Sequence, residues 1–239
     1  MIRGGHYHFL LDTPGEQVPA VLQTATAAAP TPGALLLHGL SSSKERMADS
    51  IGRALLLRGI SSLSIDLPLH GSREGNVRTL SPAQPFAIVS NWKLALSDAR
   101  AAIDFLVSRP GVDASRIALV GYSLGAFLGV HVAADDSRVS QVVLAAGGDF
   151  PSDIPFAPLI RAIADPTRAV QRLTQPLLMV NGRFDRTVTP DQARRLYAAA
   201  KEPKELRWYD GGHWPPPREL ESAADWIADR LQAANRRAV

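Results

Sequence analysis

Gly121-Tyr122-Ser123-Leu124-Gly125 joins a short apolar run, Arg116–Val120, to a helical stretch, Leu124–Ala134. A serine held on a tight strand-to-helix turn takes a strained backbone. The residues two before and two after it must then be nearly free of side chain, or they collide. Gly121 and Gly125 meet that need. Taken alone, the five-residue pattern is a weak signal, because glycine and serine are common residues. Its position between a strand and a helix makes it specific. The simpler reading of Ser123, a helix N-cap, calls for no flanking glycines. A serine so placed stands at the carboxyl end of its strand. The backbone N–H of Leu124, at the start of the helix behind it, points toward any negative charge that develops beside the serine.

Working outward from this turn, short β-branched or apolar runs alternate with longer amphipathic stretches. That is the pattern of a mainly parallel sheet covered by helices. His6–Leu11 and Val18–Thr24, separated by Asp12-Thr13-Pro14-Gly15-Glu16, read as an N-terminal hairpin. Ala34–Leu37, Ile60–Leu67, Arg116–Val120, Gln141–Ala146, Leu177–Asn181 and Leu206–Tyr209 read as further strands. Glu45–Arg58, Asn91–Ser108, Leu124–Ala134, a segment opened by Thr189-Pro190-Asp191, and Glu219–Ala233 read as helices, with Gly59 as a C-terminal stop. Ser72–Gln84 reads as a loop. Gly147–Leu173 breaks the rhythm with four prolines and short apolar pieces (Phe150, Ile154, Phe156, Leu159, Ile163) and reads as a small cap-like insertion. The expected fold is α/β: one domain over residues 1–239 with a mostly parallel eight-stranded sheet, helices on both faces and a cap at about 147–173.

A serine nucleophile needs a base. Of the six histidines, only His131 and His213 follow Ser123. His131 lies two turns into the same helix and cannot fold back to the helix start. His213, in Asp210-Gly211-Gly212-His213-Trp214, follows the last strand in a loop that can reach the strands' carboxyl ends. An acid between serine and histidine in chain order completes the set. Asp185 follows the strand Leu177–Asn181 at the same edge, and Asp149, after the preceding strand, is the competing choice. The alternative for Asp185 is an ordinary surface pair with Arg183 or Arg186. A second oxyanion donor is expected from His38-Gly39-Leu40, with Leu40 N–H joining Leu124 N–H. Gly39, Tyr122, Phe150, Phe156 and Trp214 are the residues expected to contact substrate. His6 and His8 share a face of one strand but lack a third ligand, so no metal site is read there. His70 either lines the cleft or serves a turn.

Composition narrows the rest. The chain has 239 residues, 46% hydrophobic and 21% charged, a net charge of +3 and no cysteine, which excludes disulfides, thiolate metal sites and a cysteine nucleophile. The basic residues are spread among acidic ones rather than gathered on one face, which argues against nucleic acid as a partner. No apolar run approaches the roughly 20 residues of a membrane span, and His6 and His8 interrupt the N-terminal segment. The expectation is a soluble, cytoplasmic protein, a monomer or homodimer, with no export signal and no membrane partner.

With these residues assembled, the chain resembles the α/β-hydrolase superfamily. The matching segments, in order, are Leu35-Leu36-Leu37-His38-Gly39, Asp66–Gly71, Gly121–Gly125, Gly182–Val188 and Gly211–Trp214. Within it, the stretch from His38 to Glu45 and the small insertion are similar to the dienelactone-hydrolase and prolyl-oligopeptidase-like esterases. Dienelactone hydrolases proper use cysteine where this chain has Ser123, and no propeller domain is present. The resemblance therefore implies a general serine carboxylesterase acting on a small-molecule ester through Ser123, His213 and Asp185, without cofactor or metal. An acyltransferase or perhydrolase with the same triad, or a non-catalytic binding protein on this fold, are the alternatives.

Overall fold

The computed structural model describes residues 4–79, 84–150 and 157–237. β1 (Gly4–Asp12) and β2 (Gln17–Ala25) form the antiparallel hairpin, closed by Thr13 N–H donating to the Glu16 carbonyl at 3.1 Å. β3 (Thr31–Leu37), β4 (Ser61–Ile65), β5 (Val112–Tyr122), β6 (Val139–Ala145), β7 (Leu177–Gly182) and β8 (Lys204–Tyr209) complete one eight-stranded sheet. Its order is β1-β2-β4-β3-β5-β6-β7-β8. Every pairing from β4 to β8 is parallel, and β2 joins β4 antiparallel. The expected mostly parallel eight-stranded sheet is what forms.

The central strands alternate by residue between two hydrophobic layers. Leu35 and Leu37 of β3, Leu119 of β5, Val142 and Leu144 of β6, and Leu177 and Met179 of β7 enter one layer. Their neighbours Ala34, Leu36, Ala118, Val120, Val143, Ala145, Leu178 and Val180 enter the other. Both sides of each strand are thus buried, which is why these runs read as continuously apolar. The first layer is closed by α3 (Pro85–Val107), α4 (Leu124–Asp135), α6 (Pro166–Arg172) and α7 (Pro190–Ala199). The second is closed by the segment after β3 and by α8 (Pro217–Arg237). That segment was expected to be one helix. It forms as α1 (Lys44–Met47), a π-helical turn (Ala48–Gly52) and α2 (Arg53–Leu56).

Two expectations are revised by proline chemistry. α3 starts at Pro85 rather than Asn91, because a proline in the first turn gives up an N–H that has no helical partner anyway. The segment 147–173 carries more regular structure than its prolines suggested: α5 (Ala157–Ala164) and α6 lie within it. Pro166 opens α6, and the Asp165 carboxylate caps it by accepting from Thr167 and Arg168 N–H. Ile154 and Phe156 lie outside the described residues, as does the side chain of Leu159. Thr189 caps α7 reciprocally with Gln192 and Pro190 stands first, as read. No helix among the described residues is long and apolar enough to cross a membrane.

The turn between β5 and α4 is packed without slack. A Cβ on Gly125 would run into the Leu37 and His38 carbonyls, and one on Gly121 would meet the backbone of Gly125. Gly125→Ala should therefore lower stability by about 1–3 kcal/mol, the usual cost of overpacking. Gly111→Ala, with open space at its Cβ, should cost nothing measurable. Urea midpoints of the two variants check the contrast.

Candidate active site

Ser123 occupies φ 50°, ψ −113° at the β5–α4 turn, a region strained for any residue with a Cβ. Its N–H donates to the Ala145 carbonyl at 2.9 Å, tying the turn to the end of β6. Its hydroxyl does not cap α4. Instead Ser123 Oγ lies 2.9 Å from His213 Nε2, and His213 Nδ1 lies 2.7 Å from Asp185 Oδ2. With the ring proton on Nδ1, His213 donates to Asp185 and accepts the serine O–H. Asp185 is buried and also accepts from Thr187 N–H at 2.8 Å and Val188 N–H at 3.0 Å. These bonds aim one carboxylate oxygen at the loop and leave the other for the imidazole.

The competing residues go elsewhere. Asp149 holds Arg161 at 3.0 Å, Arg195 at 3.1 Å and Thr167 Oγ1 at 3.3 Å, which binds the 147–173 segment to α7. Burial works to raise the Asp149 carboxyl, but the bonds from Arg161 and Arg195 outweigh it and hold the group below the usual carboxylate range. Arg183 pairs with Asp210, not with Asp185. His131 is buried in α4 and packs edge-on against Trp92. His6 and His8 face each other on the exposed strand β1. Among the described residues, no group of three or more His, Cys, Asp or Glu is arranged to hold a metal.

The His213 loop is held from beneath by two phenols. Tyr209 O–H donates to the Gly212 carbonyl at 2.8 Å, and Tyr122 O–H reaches the His213 carbonyl at 3.3 Å. Burial pushes both phenols up, so they stay protonated donors. Trp214 stacks on Tyr122 with ring centroids 4.5 Å apart. Tyr209 was not selected from the sequence, where a buried tyrosine ending a strand carries no distinguishing mark.

The loop after β3 lies against Ser123. A Cβ on Gly39 would meet the Tyr122 ring and would lie 3.2 Å from Ser123 Cβ, so only glycine admits the approach. The Gly39 carbonyl accepts from His38 Nδ1–H at 2.8 Å and from Ser42 N–H at 3.2 Å. In a trans peptide the carbonyl and the next N–H point in opposite directions. Fixing the Gly39 carbonyl therefore fixes the direction of the Leu40 N–H. His38 is itself fixed, because its Nε2 accepts from Leu67 N–H at 3.0 Å. Leu124 is the first residue of α4, where the N–H has no intrahelical acceptor.

A buried ion pair ties this loop to the segment after β4. Lys44 Nζ reaches Asp66 Oδ2 at 2.9 Å and Ser72 Oγ at 3.1 Å, while Asp66 also accepts from Lys44 and Ser72 N–H. Burial alone would pull the Lys44 ammonium down, but its bonds to Asp66 and Glu45 outweigh this and the net direction is up.

Two small cavities are lined by the sequence neighbours of Ser123, Leu124 in one and Tyr122 in the other. One of about 190 Å³ is almost wholly apolar, with Leu40, Leu124, His70, Trp92, Ile88 and Leu128 among its walls. Among the described residues its far wall comes from α3, not from the 147–173 segment. Phe150 stacks on Phe127 of α4 at 4.7 Å. The other, about 150 Å³, is lined by Tyr122, Trp214, Arg46 and Ile51 among others. His70 donates from Nδ1 to the Pro68 carbonyl at 2.7 Å and so serves both readings, turn and cleft wall.

The comparisons with known proteins agree with this architecture. A family model described as the alpha/beta hydrolase family matches residues 34–230. An uncharacterized protein of Mycobacterium tuberculosis (strain ATCC 25618 / H37Rv) is 32% identical over 195 residues, covering 77% of this chain and 64% of that protein. The chain thus spans just under two thirds of the length of the curated relatives it matches first. A polyketide transferase of Stachybotrys chlorohalonatus is 29% identical over 131 residues, 55% of this chain and 40% of that one. Among solved structures, a cold-adapted esterase from an Arctic intertidal metagenomic library superposes with a TM-score of 0.75 at 24% identity, covering 95% and 94% of the two chains. Acetyl xylan esterase 1 from Thermoanaerobacterium sp. JW/SL YS485 gives 0.75 at 18%, covering 95% and 83%. At these identities the structural matches speak for the fold alone.

Burial pushes His38 from its ordinary 6.5 down to about 4. Between those values the unfolded chain binds the proton and the native one does not. The contribution is therefore complete above pH 6.5 and is lost as pH falls through about 4. It amounts to about 3 kcal/mol, with His70 and His131, also lowered by burial, adding to it. Urea unfolding from pH 7.5 to 4 should show stability falling with acid, and the His38 imidazole should stay neutral by NMR to about pH 4.

Proposed function

Since the chain belongs to the alpha/beta hydrolase family, matched over residues 34–230, we propose that it is a serine carboxylesterase for small esters with short acyl groups. The observation that carries this is the unbroken chain from Ser123 Oγ through His213 to Asp185, at 2.9 and 2.7 Å. Ser123 Oγ attacks the ester carbonyl as His213 Nε2 takes its proton. Asp185 keeps the other ring nitrogen protonated and stabilises the imidazolium. Leu40 and Leu124 N–H receive the oxyanion. Collapse of the tetrahedral intermediate expels the alcohol, protonated by His213. Water, deprotonated by the same imidazole, then cleaves the acyl-serine to the carboxylic acid.

The apolar cavity beside Leu40 and Leu124 suits the acyl group. At about 190 Å³ it is smaller than the roughly 300–1,000 Å³ of pockets for drug-sized ligands, so each further methylene adds its ~0.8 kcal/mol only briefly. Acyl transfer to an alcohol through the same acyl-serine is the second reading, supported by the similarity to a polyketide transferase.

Ser123→Ala should abolish turnover of p-nitrophenyl butyrate with the fold intact. Asp185→Asn should cost on the order of 10⁴ in kcat by the serine-protease precedent. Asp149→Asn should affect stability more than rate, and the reverse ranking would move the acid to Asp149. Across acetyl, butyryl, octanoyl and palmitoyl esters, kcat/KM should peak at the short end with no jump on adding a lipid interface. Product analysis with methanol present should yield mainly free acid, and a methyl ester as main product would favour the transferase.

A further inference from the structure

The cavity of about 150 Å³ bordered by Tyr122 has a different character from the apolar one bordered by Leu124. Its walls are Met47, Ile51, Tyr122 and Trp214 among others, and among the described residues Arg46 is the one charged side chain lining it. The Arg46 guanidinium lies over the Trp214 ring, 4.0 Å from its centroid, and Trp214 in turn stacks on Tyr122. Stacking uses the face of the guanidinium and leaves its in-plane N–H groups unspent. Among the described residues, Arg46 has no carboxylate within 4.0 Å: Glu45 is taken by Lys44, and Asp49 makes no ion pair. The charge nonetheless reaches the turn itself. Burial pushes the Tyr122 phenol up, and Arg46 pulls it the other way. Ser42, also in the wall, adds a hydroxyl.

A planar fork with two free N–H groups, held by stacking at the rim of a small pocket, is suited to a planar oxyanion. We propose that Arg46 and this cavity form a seat for a carboxylate on the alcohol side of the ester, so that the preferred substrates are esters whose leaving alcohol carries a carboxylate. The seat rests on the esterase reading for its place in the reaction, in which the acyl group takes the separate, apolar cavity bordered by Leu124. A single cation matches a monoanion, and the fork geometry matches a carboxylate.

The test compares kcat/KM for phenyl acetate and 4-acetoxybenzoate, two acetates that differ by one carboxylate on the leaving group. At low ionic strength the anionic ester should be favoured about tenfold. That preference should shrink in 0.5 M NaCl as the exposed charge is screened. Arg46→Gln should bring the ratio close to one, whatever it does to the absolute rates, and Arg46→Lys should keep part of it. A wild-type ratio near one, or a preference unchanged in Arg46→Gln, overturns the proposal while leaving the esterase reading standing. If neither ester turns over, the esterase reading is what has failed, and the seat is tested directly. 4-Hydroxybenzoate, but not phenol, should shift the Trp214 indole resonance in the wild-type chain and not in Arg46→Gln. Equal shifts with phenol, or none with either, overturn it.

Discussion

A serine at φ 50° is costly, of the order of 1–3 kcal/mol, and persists only where its surroundings over-determine it. Here the surroundings are backbone. Gly121 and Gly125 bring β5, α4 and β3 so close that no side chain fits between them, and Ala145 takes the serine N–H. The rest of the carboxyl edge is arranged around that point. The four non-glycine residues with positive φ among the described residues, Ser41, Leu69, Ser123 and Ala146, each follow one of the four strands β3 to β6. Strain is thus collected along one edge of the sheet, while the strands beneath remain regular.

What holds such an edge is charge and hydrogen bonding rather than apolar packing. Lys44 and Asp66 join the loop after β3 to the one after β4. Arg73 joins that second loop to α3 through Asp98 at 2.6 Å and to the N-terminal hairpin through Glu16, and Thr13 also donates to Asp98. Buried pairs of this kind return little net stability over apolar replacements, because desolvation offsets the attraction. Removing one partner is another matter, costing about 3–5 kcal/mol by leaving a bare buried charge. Their contribution here is register: the loop bearing Leu40 cannot slide relative to the segment after β4 without breaking the Lys44–Asp66 pair.

Much of this was legible in the residues. Strands buried on both faces announce themselves as unbroken apolar runs, so β3, β5, β6 and β7 read correctly, and the glycines around Ser123 marked the turn. His213 and Asp185 could be selected because chain order and strand ends leave few choices. Less legible were features that depend on partners distant in sequence. Nothing in Tyr209 marks it as the support of the His213 loop, and the prolines of 147–173 look like breakers although Pro166 opens a helix. Nor did periodicity assign Ile88 to a helix, yet it joins Trp92 of α3 in the wall of the apolar cavity beside Leu40 and Leu124. α3 begins six residues earlier than its periodicity suggests, and that added stretch carries Ile88.

The proposed chemistry requires Ser123 to be a nucleophile activated by His213. Intact-protein mass spectrometry after brief treatment with a fluorophosphonate tests this most directly, followed by peptide mapping. One adduct per chain on Ser123, formed rapidly in the wild type and slowed by orders of magnitude in His213→Ala, is the predicted result. Ester turnover that survives with Ser123 unlabelled, or labelling as fast without His213 as with it, would contradict a His213-activated serine nucleophile.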